Sequence, residues 1–450
     1  MPAVRVPAIA SEVVSPYPEG NTGETPVRHD MGMDSPKVLA DPATVPASEA
    51  TSGPAADPFA EQPLAGFVVA ITADRRREEF ATLLERRGAR VVTVPTMRIE
   101  PLDDDSPVRL ATEACLAGPL DYVVASTGIG WRGWFSAAEG WGLDQRLLAA
   151  CRDAIVLTRG PKATGAVRTC GLREGYSSTN EGMRDILDWL LARDLTGTRI
   201  AVQRHGTPDP DFLSALENAG AEVIDVPIYR WGPPADPAAV DRLVESIAQR
   251  EVHAVAFTSA PGAIALLEAA DELGLNRKVC EAFGAPAPDS GTSRQASQGT
   301  TVFAACVGGI CASAFNGTGV PTHCPARGRL GSLVKLIADE LPARLRQTVR
   351  TPVGQFSLQG HAFAFNGGIT MLAPQPAAVL RELVLADDRV VSRADLLRRI
   401  WGHRIDTAAG GDHVLDVTVG RLRAALARHP GAPDKLIRTV PKRGYRLPRS

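Results

Sequence analysis

A self-similarity at a fixed spacing constrains this chain of 450 residues more than any single motif. The run FATLLERRGARVVTVP (Phe80 to Pro95) falls on FLSALENAGAEVIDVP (Phe212 to Pro227), pairing Phe80 with Phe212, Leu84 with Leu216, Gly88 with Gly220 and Pro95 with Pro227. The same shift, 212 − 80 = 132, lays DYVVASTGIG (from Asp121) on HAVAFTSAPG (from His253). A shift of 148 then brings Gly160, Gly171 and Leu172 onto Gly308, Gly319 and Val320. Each copy is a β-rich run, a helical pattern closed by Gly and another β-rich run, so one α/β module with parallel strands has been duplicated.

The copies cannot be simple beads. Two short linkers, TVPTMRIEP and DVPIYRWGPP, each follow a strand ending in Pro and occupy equivalent places. An exchange satisfies both: residues 64–101 plus 230–342 form one lobe, residues 102–229 the other, and the paired linkers a two-stranded hinge beside a cleft. Before them, residues 1–63 are rich in Pro, Ala, Ser and Gly without apolar periodicity, which predicts a disordered extension. After them, residues 343–352 read as a linker to a last domain over 353–450.

Charge separates that last domain from the rest. Residues 353–450 hold 15 Lys plus Arg against 8 Asp plus Glu, a balance of +7 within a chain whose formal net charge is −2, leaving −9 upstream. A basic end is where a polyanion docks. There is no secretory signal and no apolar stretch long enough for a membrane span, so a cytoplasmic protein without a membrane partner is expected. The seven cysteines include no CxxC pair, and no ligand set for a metal or cofactor is visible. Cys306 and Cys311 read as packing residues or a redox pair, and His205 as a surface or capping residue rather than a haem ligand.

Over residues 67–342 the pieces GARVVTVPTMRIEP, GPKATGAVRTCGL, GAEVIDVPIYRW and HAVAFTSAPG, in that order, resemble uroporphyrinogen-III synthase. That resemblance implies a bilobed enzyme closing linear hydroxymethylbilane with inversion of its last pyrrole. It also implies Tyr229, on the second hinge strand, as proton donor to the departing hydroxyl; the alternative is a ring packed between lobes. A phenol of ordinary pKa near 10 stays protonated at pH 7. For a substrate bearing carboxylates, N–H and cationic groups at strand ends are the candidates: Thr72, Arg75, Ser126, Thr127, Gly128, Lys162, Thr164, Thr258, Ser259 and Gly262. Hydroxyls at such places are also ordinary helix caps. Trp131, Trp134 and Phe135 line a flat pocket or fill a core. The repeat puts Ile310 and Ala312 where Lys162 and Thr164 stand, a departure that leaves open whether catalysis survives.

In the C-terminal domain, GQFSLQGHAFAFNG predicts two antiparallel strands about Gly360, and Ser392 with Asp395 opens a helix carrying Leu396, Leu397, Ile400 and Trp401 inward. HVLDVTVGRLRAAL (from His413) predicts an amphipathic helix burying Val414, Val417, Leu422 and Leu426. Thr418, Arg421 and Arg423 then fall on or beside the open side, and KLIRTVPKRGYRLP projects Lys442 and Arg443 from a hairpin tip. The order of these pieces resembles the winged-helix effector domain of OmpR/PhoB response regulators, without the receiver. The likeness implies double-stranded DNA as partner, homo-oligomers on DNA, base-side or phosphate contacts from Thr418, Arg421 and Arg423, and wing contacts from Lys442 and Arg443. The joined architecture looks like that of actinobacterial regulators of nitrate and nitrite assimilation. Three functions therefore compete: a regulator sensing a linear or cyclic tetrapyrrole or another small anionic ligand, an active synthase carrying a DNA-binding domain, or an anion-binding scaffold without ligand control.

Overall fold

The computed structural model describes residues 57–204, 206, 208–286, 301–402, 411–429 and 436–450. His205 therefore lies outside the described residues. The chain lays down β1 (Val68–Ile71) and β2 (Arg90–Thr93), crosses on β3 (Arg98–Pro101), and builds β4 (Tyr122–Ala125), β5 (Ile155–Thr158), β6 (Glu174–Ser177), β7 (Arg199–Gln203) and β8 (Glu222–Val226). It returns on β9 (Tyr229–Gly232) and adds β10 (Ala254–Phe257), β11 (Phe303–Cys306) and β12 (Thr322–His323). Two parallel sheets result, ordered β12-β11-β10-β1-β2 in lobe 1 and β6-β5-β4-β7-β8 in lobe 2, with β3 and β9 antiparallel between them.

The repeat is visible in the backbone. Gly88 and Gly220, each ending its copy of the first helix, take φ of +91° and +94°; Gly171 and Gly319 take +75° and +73°. An L side chain resists that region, so glycine marks the turn in both halves. Helices cover both faces of each sheet, which is why strands such as VVAI and AVAF are buried throughout instead of alternating. The edge strands β6 and β12 have half-exposed, polar sequences and give no apolar signal.

The C-terminal domain begins earlier than the composition suggests. The helix Leu330–Leu345 enters the supposed linker, and β13 (Gln347–Thr351), which fills most of it, joins β14 (Gly354–Gln359), β15 (Ala362–Phe365) and β16 (Gly368–Met371) in a four-stranded antiparallel sheet. In QTVRT only Val349 and Thr351 turn inward, an alternation too polar to read as a strand. Among the described residues three helices follow, Pro374–Leu385, Arg393–Trp401 and Gly411–Ala427, then the hairpin β17 (Arg438–Val440) and β18 (Gly444–Arg446). They share one apolar core with the sheet, and a bridge from Val391 to Tyr445 ties the hairpin on, completing a winged helix.

Residues 57–63 also depart from the expectation of disorder. Phe59 is fully buried against Ala65, Ala362 and Ala364, under the Arg346 guanidinium, which pairs with Asp57 at 2.7 Å. The partners that bury this segment lie some three hundred positions away, so local composition cannot show it. The same contact docks lobe 1 on the C-terminal sheet: Gln359 Nε2 donates to the Ala65 carbonyl at 2.8 Å and the His361 N–H to the Gly66 carbonyl at 2.8 Å.

Candidate functional site

The hinge delivers Tyr229 between the lobes. Its residue is only 6% exposed, and its hydroxyl lies 3.2 Å from Thr127 Oγ1, which also accepts the Gly130 N–H at 3.1 Å as cap of the helix Gly128–Gly140. Burial pushes the phenol above its usual value of 10, partly opposed by the Thr127 hydrogen bond and the charges of Arg159 and Arg75. The phenol thus keeps its proton at neutral pH and can hydrogen-bond beyond Thr127. Arg159, at the end of β5, was not among the sequence candidates. It is half-buried beside Tyr229 and Glu181, with burial pulling its pKa down. Its place at a parallel strand end, just before the GPKAT run, was the available signal.

The other candidates divide by what their polar atoms already do. Thr72 Oγ1 donates to the Ala256 carbonyl at 3.2 Å, Ser126 Oγ to the Gln203 carbonyl at 2.6 Å, and Thr164 Oγ1 meets Thr158 and Ser177 hydroxyls at 2.7 and 3.1 Å. These three hydroxyls stitch strand ends together. Ser259 caps the helix Ala260–Glu272 through the Gly262 N–H at 3.3 Å, as Thr127 does 132 positions earlier. Gly128 and Gly262 are buried; a Cβ on Gly128 would stand 2.3 Å from the Lys162 carbonyl, so this glycine lets the helix start pack closely against the Lys162 backbone. Arg75 and Lys162 are exposed and Thr258 is half-buried. Trp131 and Trp134 are fully enclosed in the lobe 2 core, where Trp134 Nε1 donates to Thr112 Oγ1 at 2.9 Å, which removes them as pocket walls. Cys306 and Cys311 are buried free thiols within the lobe 1 core. Among the described residues, no group of three or more His, Cys, Asp or Glu is placed to hold a metal ion, and no helix is long and apolar enough to cross a membrane.

On the helix Gly411–Ala427 the buried stripe is Leu415, Thr418, Val419, Leu422 and Leu426. Thr418, expected on the open side, is 3% exposed with its hydroxyl bonded to the Val414 carbonyl at 2.8 Å; Val417, expected inside, is 37% exposed. The reason is phase. Leu415 rather than Val414 anchors the stripe, and a threonine whose hydroxyl bonds back to its own helix is apolar enough to bury. The open face carries His413, Val417, Gly420 and Arg421, all exposed. Arg423 is exposed too, yet it bonds the Ile437 carbonyl at 3.0 Å and Thr439 Oγ1 at 2.9 Å, fastening the helix to the wing. Lys442 and Arg443 stand exposed at the hairpin tip, Lys442 with φ +62°.

The family model for uroporphyrinogen-III synthase HemD matches residues 78–335. The chain belongs to that family. The model for the C-terminal domain of transcriptional regulatory proteins matches residues 369–447, so a HemD-like domain is fused to an OmpR/PhoB-type winged-helix DNA-binding domain. The uncharacterized protein YjjA of Bacillus subtilis is 29% identical over 279 residues, 61% of this chain and 96% of that protein. The regulatory protein AfsQ1 of Streptomyces coelicolor is 39% identical over 82 residues, 18% of this chain and 35% of its own length. A mutant uroporphyrinogen III synthase of Thermus thermophilus superposes at TM-score 0.50 with 28% identity, over 62% of this HemD-family chain and 99% of that structure. Such an architecture is consistent with a transcriptional regulator.

Proposed function

We propose that this HemD-family chain regulates transcription in response to a tetrapyrrole-like anionic ligand held between its lobes. The observation that carries the reading is the open face of the helix Gly411–Ala427. Its Arg421 is free of internal ion pairs among the described residues, Gly420 has open space where a Cβ would stand, and Val417 offers an apolar contact of the kind a thymine methyl accepts. Lys442 and Arg443 at the wing tip supply phosphate or minor-groove contacts, and Arg423 orients the wing relative to the helix. Domains of this type bind repeated half-sites, so homo-oligomers form on DNA. In the cleft, Arg75, Arg159 and Lys162 supply positive charge for ligand carboxylates and Tyr229 a hydrogen bond. The fusion fits control of nitrate and nitrite assimilation or of tetrapyrrole genes.

A second reading, active synthesis of uroporphyrinogen III, is favoured by one specific observation: a buried, protonated Tyr229 on the hinge with a hydroxyl partner and two arginines acting on it. A proton from Tyr229 to the departing hydroxyl, with Arg159 holding the resulting phenolate, is general-acid chemistry that geometry permits. Incubation with fresh hydroxymethylbilane separates the readings. Type III ring formed above the spontaneous type I product, and lost in Tyr229→Phe, establishes the enzyme. Type I alone, with salt-dependent promoter binding that tetrapyrroles modulate, establishes the regulator. No salt-dependent DNA binding at all would remove the regulator.

A further inference from the structure

Positive charge gathers between lobe 1 and the winged-helix domain, on two half-buried arginines, Arg250 and Arg381, whose Nε atoms are buried. A cavity of about 20 Å³ there is lined by Arg250 and His253 of lobe 1 and by Gln347, Gly360 and Arg381 of the C-terminal domain. Arg250 follows the helix Pro237–Ala248, His253 immediately precedes β10, Gln347 opens β13, and Arg381 stands on the helix Pro374–Leu385.

His253 is 6% exposed, and its Nδ1 accepts the Val68 N–H at 3.0 Å. That bond fixes the imidazole proton on Nε2, which is buried without a hydrogen-bond partner. The Nε–H groups of Arg250 and Arg381 are buried and unpartnered as well. Among the described residues Arg381 makes neither a hydrogen bond nor an ion pair, and Arg250 gives one bond, to the Glu281 carbonyl at 3.3 Å. The neighbouring carboxylates are engaged elsewhere: Glu382 with Arg399 at 3.2 Å and Glu281 with Arg277 at 2.9 Å. Arg250 also sits at φ +55°, a left-handed conformation that glycine usually takes, so the fold holds its backbone where an L side chain is disfavoured.

We infer that this junction binds a small inorganic anion, held by His253 Nε2–H and the guanidinium groups of Arg250 and Arg381, and that the ion clamps the winged-helix domain to lobe 1. Three N–H donors line the cavity beside the Gln347 amide, whose Oε1 is also buried without a partner, and two of the donors carry full charges that repel each other across the junction. A water relieves the hydrogen bonding but not the repulsion; an anion relieves both. Burial lowers the pKa of Arg250 and Arg381, with Glu281 and Glu382 only partly opposing it, and keeps His253 neutral, a donor through Nε2–H. Size sets the ligand class. A space of this order admits a water-sized ion or a compact oxyanion and excludes a nucleotide or a tetrapyrrole. Because the donors come from both sides, the ion binds only the docked arrangement, and docking becomes anion-dependent by linkage. This site is separate from the cleft and stands or falls independently of Tyr229.

The test is thermal unfolding of the full chain at constant ionic strength, with nitrate, sulfate, phosphate or chloride replacing gluconate. At least one small anion should raise Tm saturably by a few degrees, and Arg381→Gln should raise the half-saturating concentration by roughly tenfold or more. Arg381→Met should invert the order of stability, exceeding wild type in gluconate and falling below it in saturating anion, because it removes a half-buried charge that makes no ion pair among the described residues. Should these variants not fold, a wild-type crystal grown in the stabilising anion must show that ion within hydrogen-bond distance of His253 Nε2. Equal shifts for all four salts, an unchanged half-saturation in Arg381→Gln, or water alone against Nε2 would overturn the inference.

Discussion

Asp412 and Asp416 put two negative charges on the helix proposed to face DNA, and Arg393 pairs with both. Its guanidinium reaches Asp412 at 2.7 Å and Asp416 at 2.8 Å, and Tyr445 donates a further bond to Asp416 at 2.7 Å. The acidic pair therefore serves to anchor the helix on its neighbour and wing, while Arg421 remains available. Arg421→Ala is expected to weaken DNA binding by roughly 1–3 kcal/mol and to lower the salt slope by about one. Thr418→Val, which changes only a buried hydroxyl, should leave affinity within about twofold if the helix keeps its packing. Electrophoretic mobility or fluorescence anisotropy at several salt concentrations checks both; a larger loss from Thr418→Val than from Arg421→Ala would reverse the assignment of faces. That the helix exists and carries two arginines near its end was legible in LDVTVGRLRAAL. Which of two adjacent residues points inward was not, because Val417 and Thr418 differ little in bulk and only the surrounding core selects the phase.

At the scale of elements, the two lobes use one local device twice. Thr127 and Ser259 each cap a helix through the N–H of a glycine three residues on, after a buried parallel strand. Thr127→Ala and Ser259→Ala should each cost about 1 kcal/mol in urea unfolding, with only Thr127→Ala also freeing the Tyr229 hydroxyl. Equal pH dependence of tyrosine absorbance in both variants would argue against that coupling. The docking of β14–β15 on lobe 1 is less tolerant. Gly66 has φ +86°, and a Cβ there would stand 2.3 Å from the Gln359 carbonyl; one on Gly360 would stand 2.3 Å from the Gly66 carbonyl. Gly66→Ala is therefore expected to separate the winged-helix domain from lobe 1, at a cost of about 1–3 kcal/mol in strain. Limited proteolysis should then cut near the end of the helix Leu330–Leu345, with both fragments still folded. Resistance equal to wild type would show that the contact yields without undocking.

For the whole molecule, the domain junction also sets the response to acid. Burial keeps His253 well below its ordinary 6.5 and pulls His361 down to about 4, with Arg381 and Arg90 facing His361, and His361 and Arg381 facing His253. Both imidazoles are neutral in the folded chain. The unfolded chain takes up these protons first, so stability is complete above about pH 6.5 and is lost as pH falls toward 4. For His361 alone the loss by pH 5 is roughly 2 kcal/mol. Unfolding by urea at pH 7.5 and 5.0 in low-salt gluconate measures it, and His361→Gln should flatten the difference. A chain as stable at pH 5 as at pH 7.5 would mean that these rings are charged or hydrated.

The duplicated module, the exchanged hinge and the winged helix were all written in the chain, because they depend on periodicity, glycine turns and order along the sequence. Tyr229 could be placed at the hinge for the same reason. The three-dimensional structure decided what lies across from what: that Arg159 joins Tyr229, that Ser126 and Thr164 spend their hydroxyls on strand ends, and that Phe59 and β13 belong to the folded body. It also brought Arg250, His253 and Arg381 together from two domains. Local sequence fixes an element by the pattern it must bury, whereas the use of a polar side chain depends on partners that only chain folding brings within hydrogen-bond reach.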